Sequence, residues 1–410
     1  MRMRSTHLVS GRPLQALTLI TAGALLTGCA AAGTAGSEAA GAKDGAPVKV
    51  GLVYSRSGPL AAYGKQYMEG FTAGLAYATK GTGKVAGHAV EVAEQDDAGD
   101  PAKAVAAAKD LAGKGYKILA GSTDSGVALQ VAPLAAQNQL LFISGAAATD
   151  ALTGINKYTF RSGRQSYQDI LTAGTMLVDA KGKKVTVLAQ NSAFGQANVA
   201  AVKSVLEAQG ATVGSVLAPP SATDLTPFAQ QVRSGGADLV FVAWAGATAP
   251  ALWTALDQQG VLDSTQVVTG LAGTASYPVF GPAAAKISFL AHYFPGAAGS
   301  TPVETAMLDG VTKAGGTPDL FSPDGFTAAQ MIVHAIEAGS PTDTARMVKA
   351  LEDWRFQGPK GEEQVRAEDH ALLQPMFTAK LTGEGASAGP VLLHALPMSA
   401  STPPLKTIAG

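Results

Sequence analysis

The sequence has almost no cysteine, few aromatic residues and no excess of positive charge. Cys29 is the only cysteine in 410 residues, which excludes an intramolecular disulfide framework and a cysteine-based zinc site. The chain has 30 Lys and Arg against 31 Asp and Glu, so it lacks the basic surplus that binding to a nucleic-acid backbone requires. Aromatic residues make up only 6%, and the 47% apolar content comes largely from Ala, Leu and Val. This content is ordinary for a packed globular protein, and the length predicts two or three domains.

The sequence also lacks an apolar run long enough to span a membrane. Its first apolar stretch, Leu14–Leu26, has 13 residues, whereas a spanning helix needs roughly 20. Arg2, Arg4 and Arg12 precede this stretch, and no acidic residue occurs before Glu38. A positive start followed by a short apolar segment and small residues is typical of a secretory signal peptide, here predicted at residues 1–28.

The residues that follow the apolar stretch are Leu26-Thr27-Gly28-Cys29. They resemble the lipobox of bacterial lipoproteins, which implies that Cys29 becomes the lipidated first residue of the mature chain. Residues 29–46 have no apolar periodicity and are predicted to form a flexible tether. Loss of residues 1–28 would remove three arginines and leave 27 basic and 31 acidic residues, a charge of −4. We therefore expect an extracytoplasmic protein, lipid-anchored to the bacterial cell membrane.

From Pro47 onward, short β-branched runs alternate with Ala-rich helical stretches. This alternation predicts an α/β fold with two parallel sheets of similar size. The predicted strands are Val48–Tyr54, Ala89–Gln95, Lys117–Gly121 and Leu140–Ser144 in the first series, and Val185–Gln190, Ala211–Ala218, Asp238–Trp244 and Gln266–Gly270 in the second. The later elements, which end with a predicted strand at Met376–Leu381, are too few for a third domain and are expected to complete the first two.

Polar and small residues follow two neighbouring strands of the first series. Ser125 begins a predicted helix directly after one strand, and the small residues 145–149 follow the next. In open α/β sheets ligands bind at the carboxyl ends of the strands, and a helix start favours an anion. Each segment alone is also compatible with an ordinary cap or turn, whereas together they favour a site for a carboxylate.

Motifs of several enzyme classes are missing. The sequence contains no Gly-Lys followed by Ser or Thr and no His-Glu-x-x-His. We therefore expect a binding protein rather than an enzyme, with no cofactor and no metal site.

Several short motifs follow one another along the chain, and the family resemblance that they carry extends from about Val48 to Leu381. They are Ser57-Gly58-Pro59-Leu60-Ala61-Ala62-Tyr63-Gly64, Asp96-Asp97-Ala98-Gly99-Asp100-Pro101, Ala132-Pro133-Leu134-Ala135, Phe160-Arg161 and Phe194-Gly195. In this order they resemble the solute-binding proteins of branched-chain amino-acid ABC transporters. The resemblance implies a type I periplasmic-binding fold, two Rossmann-like lobes with parallel central sheets joined by a three-strand hinge. The expected lobes are residues 47–163 with 292–355, and residues 164–291 with 356–402.

The resemblance also implies a ligand site. It assigns the ligand carboxylate to the hydroxyl of Ser125 and to groups of the adjoining small-residue loop, and aromatic cover to the two lobes; Tyr167, just past the first crossover, is a further candidate to face the cleft. The ligand-binding residues expected from this comparison and from position are Tyr63, Ser125, Ala146, Ala147, Ala148, Tyr167, Phe194 and Trp244.

Two positions depart from the family pattern. Ala148 stands where relatives use a Thr hydroxyl, and the strand ending at Gly270 is followed by Leu271-Ala272-Gly273-Thr274, without the acid that receives an α-ammonium. A buried amine without a partner costs several kcal/mol. Either another acid such as Asp169 reaches the cleft, or the ligand has no ammonium group.

The expected function is capture of a small carboxylate-bearing solute, a branched-chain amino acid or a related compound, by a monomeric lipoprotein of an ABC importer. Its expected partners are the solute, an ABC permease with its ATPase, and the membrane through the N-terminal lipid. The alternatives are an amine-free acid, such as an aromatic one, or an amide as ligand, or a sensor that passes lobe closure to a signalling partner.

Overall fold

A computed structural model of the chain describes residues 45–176, 179–383 and 387–409. The predicted signal peptide, Cys29 and nearly all of the predicted tether lie outside these residues. Among the described helices, none combines the length and the apolar composition needed to cross a membrane.

The first sheet has six strands in the order β2-β3-β1-β4-β5-β6. All of its pairs are parallel except β2 with β3. Helices pack on both faces of the sheet, where two apolar clusters form the core. The elements are β1 (Gly45–Tyr54), α1 (Ala61–Ala78), β2 (Lys84–Val85), β3 (His88–Asp96), α2 (Pro101–Gly113), β4 (Ile118–Gly121), α3 (Ser125–Asn138), β5 (Leu141–Ser144) and β6 (Thr159–Arg161).

The chain then crosses to a second sheet, whose first five strands are parallel and again have apolar clusters on both faces. The eight predicted strands of the two series are all present, with ends shifted by at most three residues. The elements are α4 (Ser166–Gly174), β7 (Lys184–Gln190), α5 (Ala193–Val202), β8 (Thr212–Ala218), α6 (Thr226–Ser234), β9 (Leu239–Ala243), α7 (Ala249–Gln258), α8 (Val261–Ser264), β10 (Gln266–Gly270), α9 (Tyr277–Phe280) and β11 (Ile287–Ala291).

After β11 the chain returns to the first lobe. Its helices there are α10 (Pro302–Lys313), α11 (Ser322–His334) and α12 (Thr344–Leu351), followed by a small antiparallel sheet of β12 (Arg355–Gly358), β13 (Gly361–Val365) and β14 (Leu372–Leu373). Phe356, Val365 and Leu372 belong to the apolar core of the first sheet. The stretch 356–373 therefore packs with the first lobe, and this differs from the sequence-based boundary, which placed residue 356 onward in the second.

A third crossing leads to the last two strands, β15 (Met376–Thr382) and β16 (Gly389–Leu396). They extend the second sheet to seven strands in the order β16-β15-β11-β10-β9-β7-β8. The chain beyond β16 then lies against the first lobe, where Ala409 donates its N–H to the carbonyl of Gly154 at 2.9 Å. The fold is thus the expected α/β architecture of two lobes with parallel-dominated sheets, with three crossings between the lobes before the C-terminal segment returns to the first.

Candidate functional site

A cavity of about 460 Å³ lies between the two lobes at the carboxyl ends of their strands. This volume falls within the range of roughly 300–1,000 Å³ that small-molecule sites have. Six of the eight predicted ligand-binding residues line it: Tyr63, Ser125, Ala146, Ala148, Phe194 and Trp244.

Ser125 provides a buried hydroxyl in this cavity. Its Oγ accepts the N–H of Thr149 at 3.2 Å, so the hydroxyl proton remains available for a ligand. The helix start is less open than the sequence predicts, because the Asp124 carboxylate already accepts the N–H groups of Gly126 at 2.7 Å and Val127 at 3.1 Å. The attraction of the α3 N-terminus for an anion is thus partly satisfied within the protein, and the Ser125 hydroxyl is the donor that remains in the cavity.

The small-residue loop after β5 approaches the cavity at Ala146 and Ala148. Ala147, by contrast, is not part of the cavity lining. Its side chain packs in the core of the first lobe, and its N–H donates to Ser122 O at 3.2 Å. Arg161, which is fully buried, holds this loop by donating to the carbonyls of Ala147 at 2.6 Å and Thr149 at 2.9 Å.

The aromatic residues come from both lobes, as expected. Tyr63 lies in the first lobe, against Phe321 with the ring centroids 4.5 Å apart. Burial raises the pKa of the Tyr63 phenol, while the main chain of Gly246 in the second lobe acts to lower it. Trp244 is oriented by a hydrogen bond from Nε1 to Thr248 Oγ1 at 3.0 Å. Aromatic side chains of both lobes therefore line the cavity.

Tyr167 does not line the cavity, contrary to the expectation. Its N–H donates to Asp150 Oδ1 at 3.0 Å, and its ring packs against the core of the second lobe. Successive helix positions point about 100° apart, so Tyr167 and Asp169 face different sides of α4. Asp169 is the residue that lines the cavity.

Arg164, in the crossover between β6 and α4, also lines the cavity. From the sequence, its position in a crossover suggests only that it links the lobes, and nothing in the sequence indicates that it contacts a ligand. Its Nε lies 3.3 Å from Asp169 Oδ2, and both side chains are buried. Burial raises the pKa of Asp169 to about 6, while the charge of Arg164 acts to lower it.

His292 is a further cavity residue that sequence reasoning missed. Burial, together with the charges of Arg164 and Lys360, lowers the pKa of His292 well below its ordinary value, so the imidazole is neutral at pH 7. Arg164 is thus the only lysine or arginine among the described residues that line the cavity, and the acids there are Asp124 and Asp169.

The wall beyond β10 is apolar, as the sequence indicates. Leu271 and Ala272 line it together with aromatic side chains of the second lobe, among them Trp253 and Phe280. The nearby Asp319 is outside the cavity lining and accepts hydrogen bonds from Thr274. No carboxylate therefore stands at this part of the described lining.

Residues 47–387 match the family model described as "Periplasmic binding protein", and the chain belongs to that family. A curated relative, the Leu/Ile/Val-binding protein homolog 3 of Brucella melitensis, is 29% identical over 80% of this chain and 89% of its own length. The solved structure of an ABC-type branched-chain amino acid transporter from Rhodopseudomonas palustris CGA009 is 31% identical, with 88% of this chain and 99% of that chain covered and a TM-score of 0.72.

A third similar protein is a solute binding protein of an ABC transporter from Rhodopseudomonas palustris HaA2, solved in complex with p-hydroxybenzoic acid. It is 26% identical, the match covers 86% of this chain and 97% of that chain, and the TM-score is 0.79. These matches confirm the resemblance to solute-binding proteins of branched-chain amino-acid ABC transporters. Members of this family bind solutes outside the cytoplasm and are not enzymes.

Proposed function

We propose that this protein captures a small carboxylate-bearing solute in the interlobe cavity and delivers it to an ABC permease with its ATPase. The observation that carries the proposal is the free donor capacity of the buried Ser125 hydroxyl, in a cavity whose remaining wall is largely apolar. Such a cavity fits a molecule with one polar end and an apolar body. The branched-chain amino acids named for the relatives have this form.

Capture would proceed by hinge closure. A solute docks on one lobe, and contacts with the other lobe then stabilise the arrangement that the permease recognises. A solute that contacts both Tyr63 of the first lobe and Trp244 of the second would bind the closed arrangement more tightly than the open one, which is the differential affinity that closure requires. Binding to both lobes, rather than chemical turnover, is the function that this geometry supports.

The N-terminal sequence supports an anchored form of the protein. Cleavage after residue 28 and lipidation of Cys29 would hold the binding lobes at the outer surface of the cell membrane through the tether of residues 29–46. A monomer is sufficient for this role, because both lobes that line the cavity belong to one chain.

A second candidate ligand is an amine-free acid, such as an aromatic one. It is favoured by the apolar wall at Leu271 and Ala272, where no carboxylate would receive an ammonium group. The similar protein solved with p-hydroxybenzoic acid gives this candidate a precedent.

A thermal-shift screen tests the proposed function. We expect leucine, valine or 4-hydroxybenzoate to raise the melting temperature by about 5 °C at saturating concentration, because a ligand at 100 times its Kd stabilises by about 2.7 kcal/mol. The matched amides leucinamide, valinamide and 4-hydroxybenzamide serve as controls. If no carboxylate stabilises the protein, or each amide stabilises it as well as its acid, the proposal is wrong.

Ser125→Ala is expected to weaken binding of the best carboxylate by roughly 10- to 100-fold. The substitution removes the hydroxyl that would donate to a charged oxygen, a bond worth about 1.5–3 kcal/mol. Ser204→Ala is the matched control, because Ser204 lies outside the cavity lining. The measurement is the Kd by isothermal titration calorimetry, and an unchanged Kd would remove Ser125 from the site.

A further inference from the structure

Arg164 is held in the cavity with most of its donors unused. Its Nη1 donates to Ala146 O at 2.9 Å, and its guanidinium lies 5.6 Å from the ring centroid of Phe321. A guanidinium has five N–H donors, and this is the one hydrogen bond that Arg164 forms among the described residues. The side chain is therefore fixed in position and still able to donate to a ligand.

Asp169 satisfies this cation only in part. The contact between Arg164 Nε and Asp169 Oδ2 is an ion pair at 3.3 Å, and Nε has no hydrogen-bond partner in the described part of the chain. Asp169 Oδ1 is buried and also lacks a hydrogen-bond partner there. A buried carboxylate with an unpartnered oxygen is energetically costly. The hydrogen-bonding capacity of the ion pair between Arg164 and Asp169 is therefore only partly satisfied.

Arg164 and Ser125 can contact the same small molecule. Arg164 is bonded to the carbonyl of Ala146, and Ser125 to the N–H of Thr149. Ala146 and Thr149 are three positions apart, a span of about 10 Å at most. A carboxylate between the two side chains would accept one hydrogen bond from a hydroxyl and another from a guanidinium.

We propose that Arg164 receives the carboxylate of the solute together with Ser125, and that Asp169 is the counter-ion that this carboxylate replaces. This inference rests on the proposed function, since it assumes a carboxylate-bearing solute. It makes Arg164 a ligand-contact residue and Asp169 a residue that sets how strongly the cavity attracts an anion.

The replacement predicts that binding of an anion is coupled to uptake of a proton. The charged groups that face Asp169 are Arg164, Arg161, Asp150 and Asp324. Burial raises the pKa of Asp169 to about 6, and a solute carboxylate bound at Arg164 would raise it further. Protonation of Asp169 removes the competing charge, so affinity for an anion increases as the pH falls from 7.5 to 5.5, a range in which a simple carboxylic acid stays ionised.

The first experiment removes the cation from the full-length protein in detergent. Kd values are measured for two pairs, 4-hydroxybenzoate with 4-hydroxybenzamide and leucine with leucinamide. Arg164→Gln is expected to weaken binding of the acid by roughly 10- to 100-fold, because it removes a charge-assisted hydrogen bond. The Kd of the matched amide should stay within about threefold of its wild-type value. Arg233→Gln, at an exposed position of α6, is the control for loss of a positive charge and should change neither value.

The second experiment removes the competitor. Asp169→Asn is expected to bind the same acid at least about threefold more tightly at pH 7.5 than wild type, with an affinity that no longer increases toward pH 5.5. This variant decides the question if Arg164→Gln fails to fold. Weaker or unchanged binding by Asp169→Asn, or an acid preference that survives Arg164→Gln, overturns the inference while the proposed function stands. If wild type binds neither acid, both are wrong.

Discussion

Gly70→Ala is expected to lower the free energy of unfolding by about 3 kcal/mol. Gly70 lies where α1 packs against α11, and a Cβ there would stand 1.9 Å from the carbonyl oxygen of Ser322. The atoms that this Cβ would meet all belong to the main chain of Ser322, so no side-chain rotation relieves the overlap and the helices have to separate. A Cβ added at Gly325, on the other helix, would likewise stand 1.9 Å from the carbonyl oxygen of Tyr67. This contact forms the part of the first lobe from which Tyr63 and Phe321 enter the cavity.

The measurement is the midpoint of urea unfolding followed by circular dichroism. Gly113→Ala is the matched control, because Gly113 ends α2 and nothing lies within 4 Å of the position of its added Cβ. Alanine there should leave stability unchanged or increase it by up to about 1 kcal/mol. Equal midpoints for the two variants would show that the α1–α11 contact tolerates a side chain.

Ala272→Glu is expected to change the preference between leucine and 4-hydroxybenzoate by about 100-fold in favour of leucine. The substitution introduces a carboxylate at the apolar wall after β10, where Ala272 lines the cavity. At about 6 Å and an effective dielectric constant near 20, one charge changes the binding energy of another by about 3 kcal/mol. The new carboxylate therefore attracts the ammonium group of leucine and repels an anionic group of a ligand at the same wall.

Ala272→Gln is the control, because it has the same length without the charge. The ratio of the two Kd values, measured at pH 8, should change for the Glu variant and stay near that of wild type for the Gln variant. Similar changes in both variants would mean that side-chain size, not charge, determines selection at this wall.

Much of the fold could be predicted from the sequence, because alternating strand and helix patterns extend through both lobes. Strands β1 and β10 are present where the β-branched runs indicate, and Asp100 caps α2 through hydrogen bonds to the N–H groups of Ala102 at 2.8 Å and Lys103 at 3.3 Å. The small sheet β12-β13-β14 was missed because its strands have only two to five residues and β13 contains Glu362 and Glu363. Strand β16 was missed because its Gly389-Pro390 start is typical of a loop.

The candidate site could be predicted where it depends on strand ends. Ser125, Ala146 and Ala148 share one cavity because β4 and β5 are adjacent parallel strands. The direction of single side chains could not be predicted in this way. Tyr167 and Asp169 lie two positions apart on α4, and only the packing of that helix determines which of them enters the cavity. The same applies to Arg164, whose place in a crossover carries no periodicity.

The most direct test of the account is a calorimetric titration of the full-length protein with a carboxylate and its matched amide. The account predicts saturable one-to-one binding of leucine or 4-hydroxybenzoate, and binding of the corresponding amide at least about 10-fold weaker, since the amide lacks the charge that Ser125 would stabilise. Absence of binding by every carboxylate tested, or equal affinity for acid and amide, would contradict the claim that the interlobe cavity is a site for a carboxylate-bearing solute.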